Sequence, residues 1–162
     1  MRKLVEDGAT LEEIRSQVFG RTVRLSAAWA LRHKPFRQKY VEHKEVIWVW
    51  ASAAPKSAAW VNARYPGAYV KPSGKWWTGF QRQEVVVFRN MVRSNSILPG
   101  DFNRIFDKYT FDAETRHSRV AVVATKMIIT STRRPEEVFR TWDAIDLTMA
   151  LRRISSIIHA EE

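Results

Sequence analysis

Lys56 and Ser57 stand at the end of an apolar run, "VIWVWASAAPKSAAW", Val46 to Trp60. A Lys followed by a hydroxyl residue, between a buried strand and a helix, is the end of a phosphate loop of the form GxxxxGK[S/T]. In such a loop the glycines let backbone amides curl around phosphates, the Lys meets the β and γ phosphates, and the hydroxyl holds Mg²⁺. Ahead of Lys56 stand Ala51, Ser52, Ala53, Ala54 and Pro55. Pro55 occupies the place of the last glycine. It has no amide hydrogen and a fixed φ near −65°, so one phosphate donor is missing and the curl is spoiled.

A phosphate loop works with a second apolar strand that ends in metal-binding carboxylates. That strand is present as "EVVVF", Glu84 to Phe88, but it runs into Arg89 and Asn90. A guanidinium repels Mg²⁺, and neither residue is a general base. A third strand, "MIITST" from Met127 to Thr132, places Thr132 where an Asn would sense the γ-phosphate. Another acid, Glu84 for instance, could be recruited, but it sits at the wrong end of its strand. Arg152 and Arg153, in "ALRRIS", form a cationic pair on an expected helix.

The elements that must position these residues follow from periodicity. Continuous apolar runs predict strands at 46–50 and 85–88, buried on both faces of a parallel sheet. Further strands are expected around 68–71 and at 109–115, 119–124 and 127–131, with helices at 57–64, 100–107, 135–140 and 143–153. "KPSGK", 71–75, is a turn in which Gly74 supplies the backbone freedom. Residues 1 to about 34 read as two short helices, the first opened by a capping box from Thr10 to Glu13. From Arg21 to Lys44 there are seven Lys/Arg against one Glu. That stretch is read as a solvated connector, with a phosphate-contacting or nuclear-targeting patch as the alternative.

The 162-residue chain carries 27 Lys+Arg against 17 Asp+Glu, a net charge of +10. Such a balance favours a polyanionic partner. With no cysteine there is no disulfide and no thiolate metal site. The four histidines lack metal-ligand spacing, so no metal site is expected from side chains. No apolar run is long enough to span a membrane and the N-terminus is not a secretory signal, so an intracellular location is expected.

Taken together, these residues resemble the C-terminal helicase region of replication-associated proteins of small circular single-stranded DNA viruses, of the circovirus type. "YVKPSGKWWTGFQRQEVVVF", Tyr69 to Phe88, is the most specific piece; "FDKYTFDAETR", 106–116, "MIITST" and "LRRI" follow in matching order. The N-terminal "MRKLVEDGATLEEIRSQ" resembles the oligomerisation segment that precedes that helicase core.

The resemblance implies an α/β three-layer P-loop nucleotide-hydrolase fold with a mainly parallel sheet over 45–162. A helical oligomerisation and linker segment over 1–44 would precede it. It implies a superfamily 3 helicase module that forms a homo-oligomeric ring hexamer and binds single-stranded nucleic acid, with no membrane partner. Its ligands would be ATP and Mg²⁺, if the ancestral site persists. Arg152 and Arg153 become arginine-finger candidates, and Lys75, Arg116, His117 and Arg119 become nucleic-acid contacts. The family's nicking endonuclease motifs are absent, so origin nicking is not expected.

The departures at Ala51, Pro55, Arg89, Asn90 and Thr132 point to a virus-derived domain, an endogenous viral element in a host nucleus or in the cytoplasm. It would have lost ATPase function while keeping nucleic-acid binding or subunit assembly. Two alternatives stay open: a weakly active ATP-dependent DNA or RNA helicase, and a basic interaction protein that binds neither nucleotide nor nucleic acid.

Overall fold

The computed structural model describes residues 39–161. The helices and capping box expected over residues 1 to 34, and the first part of the connector, lie outside them.

The apolar runs form a parallel sheet. Its strands are β1 (Glu45–Trp50), β2 (Tyr69–Lys71), β3 (Val85–Phe88), β6 (Lys126–Ser131) and β7 (Ser156–His159), in the order β2-β3-β6-β1-β7. Every pairing among them is parallel. β4 (Phe111–Glu114) and β5 (Arg119–Val122) make a separate antiparallel hairpin. The helices are α1 (Ala54–Arg64), α2 (Pro99–Phe106), α3 (Pro135–Val138) and α4 (Ala144–Arg153), with a short 3₁₀ turn at Ser94–Ser96.

Alternation along the central strands sorts the core into two layers. Val46, Trp48, Val86, Phe88, Met127 and Ile129 face one side and pack with Phe102 and Phe106 of α2 and with Phe139. Ile47, Val49, Val87 and Ile128 face the other and pack with Val61 of α1. Helices on both faces explain why Val46–Val49, Val85–Phe88 and Met127–Ile129 are continuous apolar runs rather than alternating with polar residues. This is the expected α/β three-layer, P-loop-like architecture.

Trp77, next to half-buried Trp76, is only 3% exposed. Its ring lies within 6.0 Å of those of Tyr69, Phe80, Phe88 and Phe111, centroid to centroid. It thereby joins the sheet to the hairpin.

Local differences from the sequence reading have physical causes. α1 begins at Ala54, not at 57, because Pro55 enters its first turn, where a missing amide costs nothing and the fixed φ is already helical. The third helix ends at Val138, not 140, and the hairpin strands are shorter than expected. β7 has no counterpart among the expected strands. It is a four-residue edge strand with largely exposed side chains, so it carries no buried apolar run. Gly74 has φ +84, as the turn requires; Lys71 Nζ closes that turn by donating to the carbonyls of Pro72 and Gly74.

Lys39–Lys44, the end of the expected connector, packs on this domain. Thr110 N donates to Lys39 O, and Tyr40 bridges to Tyr109. The Lys44 ammonium is buried and donates to the carbonyls of Ile105, Asp107 and Tyr109. Burial lowers the Lys44 pKa to about 8, opposed by the Asp107 carboxylate.

Candidate functional site

The sheet gathers the candidate residues at the C-terminal ends of its strands, where open α/β sheets bind ligands. Ala51 follows β1, is fully buried, and donates its amide to Ser131 O at the end of β6. Trp50 is level with Ser131 and with His159, whereas β3 ends with Phe88 level with Ile129. Arg89 and Asn90 therefore lead away from a point below the rim of β1. Thr132 follows β6 directly and is half-buried.

Only 51–53 separate β1 from α1. The Ala53 N-cap offers no side-chain bond to the helix. Ser57, in the first turns of α1, is fully buried and donates its hydroxyl to Ala54 O at 3.1 Å. The hydroxyl expected to hold Mg²⁺ is thus committed to its own helix.

Lys56 points back over the loop. Its Nζ donates to Glu161 Oε2 at 2.9 Å and lies 3.4 Å from Ser52 Oγ. Ser52 donates its amide to Glu161 Oε1 at 2.8 Å and its hydroxyl to Oε2 at 3.1 Å. His159 Nε2 lies 2.7 Å from Oε1. A carboxylate only accepts, so Nε2 is the donor in this contact. The Lys56 ammonium first, then the Ser52 amide, hold the Glu161 carboxyl down at about 2. Glu161, His159 and Ser52 are not among the candidates that the sequence suggests. Glu161 lies 105 residues from Lys56, and no local pattern links them.

At the expected metal position Arg89 is exposed and donates from Nη2 to Asn62 Oδ1 of α1 at 3.2 Å. Asn90 adopts φ +56 and donates its amide to Thr130 Oγ1. Asparagine tolerates that left-handed backbone better than most residues. Glu84 lies just before β3 and accepts from Thr125 Oγ1, at the opposite end of the sheet from Lys56. Among the described residues, no group of three or more His, Asp or Glu side chains is placed to hold a metal ion. A Mg²⁺–triphosphate does not fit these residues: the metal position is a guanidinium, the hydroxyl is turned away, and Lys56 is ion-paired.

The remaining candidates divide between two other surfaces. Arg152 and Arg153 end α4. Arg152 is exposed; Arg153 donates to Met149 O at 2.9 Å and meets Asp107 at 3.5 Å. Arg116 and His117 are exposed in the β4–β5 turn, which Thr115 and Ser118 close by mutual hydrogen bonds. Arg119 and Lys75 approach Glu114 from two sides, each at 3.8 Å, and Lys75 Nζ sits over the Trp76 ring. A groove of about 800 Å³ opens between the 70–75 turn, the end of β3 and α2. Its charged walls are Lys71, Lys75, Arg89 and Arg104 against Asp101. Burial lowers the Lys71 ammonium.

Among the described residues, no helix is long and apolar enough to cross a membrane. No protein-family model matches the chain. The chain is 34% identical to the replication-associated protein of goose circovirus over 91 residues, 56% of this chain and 29% of that protein. It is 33% identical to that of porcine circovirus 1 over 91 residues, 55% and 28% of the two chains. To that of porcine circovirus 2 it is 32% identical over 88 residues, 54% and 27%. The matched stretch thus spans less than a third of these curated relatives. Over about half its length this chain is similar to the circovirus replication-associated proteins, and its described residues form a parallel sheet in a P-loop-like α/β fold.

Proposed function

We propose that this chain is a helicase-like module of a replication-associated protein that has lost ATP hydrolysis and retains single-stranded nucleic-acid binding, subunit assembly or both. The observation that carries the reading is Arg89. It takes the place of a metal-binding carboxylate at the end of β3 and is tied to Asn62 on the helix that carries Lys56. A cation there opposes both Mg²⁺ and the transition-state charge that a phosphoryl-transfer site must stabilise. Pro55 and the inward-turned Ser57 hydroxyl support the same reading independently. For nucleic-acid binding, the support is the exposed cationic turn at Arg116 and His117, with Lys75 and Arg119 beside it, and the net charge of +10.

The test is ATP hydrolysis by the purified chain with Mg²⁺ and single-stranded DNA, beside Lys56→Ala. Equal rates in the two folded proteins are expected; turnover above the variant would overturn the loss of ATPase. In parallel, affinity for single-stranded DNA should fall steeply with salt, as counterion release requires. No detectable binding at low salt would leave assembly as the function.

A further inference from the structure

The loop after β1 holds an anion supplied by the chain itself. We propose that Glu161 is an internal occupant of this loop: its carboxylate stands in for a ligand phosphate and keeps phosphate-bearing ligands off Ser52 and Lys56. The proposal rests on reading 51–57 as a former phosphate loop.

The arrangement differs from an ordinary surface ion pair, which contributes little because two flexible side chains must be ordered. Each Glu161 oxygen engages two donors: Ser52 N–H and His159 on Oε1, Ser52 O–H and Lys56 on Oε2. A backbone amide, a hydroxyl and an ammonium converging on one small anion are the donor types that phosphate loops use. The segment carrying Glu161 is itself held in place. Ala160 donates its amide to Trp50 O and is only 2% exposed. The His159 ring stacks on Trp50, with centroids 3.9 Å apart and planes at 17°. β7 thus delivers the carboxylate to the rim of β1. A tethered group competes at a high effective concentration, on the order of millimolar or above for short connections.

Inorganic pyrophosphate, without Mg²⁺, is the probe. It is titrated into the full chain, Glu161→Gln, Glu161→Ala and Lys56→Ala/Glu161→Ala, with affinity measured calorimetrically and the Ser52 amide followed by NMR. Both single variants are expected to bind at least about tenfold more tightly than the unsubstituted chain, because the tethered competitor is gone. The Ser52 amide should shift, and the gain should vanish in the double variant.

Unchanged affinity in the folded single variants would overturn the proposal, and so would a gain that survives the loss of Lys56. Glu161→Gln keeps the size and shape of the side chain, so it carries the test should Glu161→Ala disturb β7. Binding is read without metal or turnover. ATP hydrolysis by the unsubstituted chain would therefore overturn the proposed function without deciding this result.

Discussion

Arg89, just after β3, and Asn62 on α1, 27 residues apart, are hydrogen-bonded, with the guanidinium donating to the amide oxygen at 3.2 Å. The bond is exposed, so its removal should leave stability within about 1 kcal/mol of the original. Arg89→Asp puts an acid at the position where the proposed function expects a metal-binding carboxylate, yet Pro55 and the Ser57–Ala54 bond remain. ATP turnover by Arg89→Asp is expected to stay at the level of Lys56→Ala, measured with Mg²⁺ and single-stranded DNA. Turnover clearly above that level would mean that Arg89 alone silences the site.

The adjacent tryptophans should differ sharply. Trp77→Ala removes a ring packed among Tyr69, Phe80, Phe88 and Phe111 and is expected to cost about 3–5 kcal/mol. Trp76 is half-buried beneath Lys75. Trp76→Ala should cost about 1 kcal/mol, since it removes one exposed cation–π pair and a modest buried area. Urea unfolding of the pair measures the difference; equal losses would contradict the packing described.

Lys44 ties the chain ahead of β1 to the end of α2. Lys44→Met keeps the apolar stem but leaves the carbonyls of Ile105, Asp107 and Tyr109 without their donor. The expected loss is about 1–3 kcal/mol, the cost of leaving buried acceptors unpaired. Unchanged stability on a urea curve would show that water replaces the ammonium there.

Charge reversal in the β4–β5 turn tests the proposed nucleic-acid binding. Arg116→Glu should weaken single-stranded DNA binding and lower the slope of log K against log salt by about 0.7 for each phosphate it no longer neutralises. Arg119→Glu should act in the same direction but less, since Arg119 already lies 3.8 Å from Glu114. Both variants should unfold as the original does, because the side chains are exposed. An unchanged salt slope would remove this turn from the proposed contact.

The Glu161 ion pair has a definite pH window. Its carboxyl titrates at about 2 in the folded chain, below the ordinary 4.5. A depressed carboxylate contributes fully above its unfolded pKa and loses that contribution as pH falls through the folded value. The interaction should therefore be complete above about pH 4.5 and disappear towards pH 2. A Glu161 carboxyl carbon whose NMR shift titrates near 4.5 would contradict the bonds to Lys56, Ser52 and His159.

The amino-acid sequence by itself determined the central strands, because burial on both faces of a parallel sheet demands continuous apolar runs rich in β-branched residues, and Val46–Trp50, Val85–Phe88 and Met127–Ile129 supply them. It also determined what the site lacks, since the residue types at Pro55, Arg89 and Asn90 exclude glycine freedom and metal-binding charge wherever the chain folds. Tertiary structure alone decided what replaces them. β7 carries no apolar run because it lies at an exposed edge, so neither the strand nor its delivery of Glu161 to Lys56 is visible in local pattern. The fates of the Ser57 hydroxyl and of Arg153, one turned into its own helix and one drawn to Asp107, likewise depend on geometry. Hydrophobic burial leaves a periodic mark along the chain. A polar bond between residues 105 positions apart leaves none, because it depends only on where two strands end.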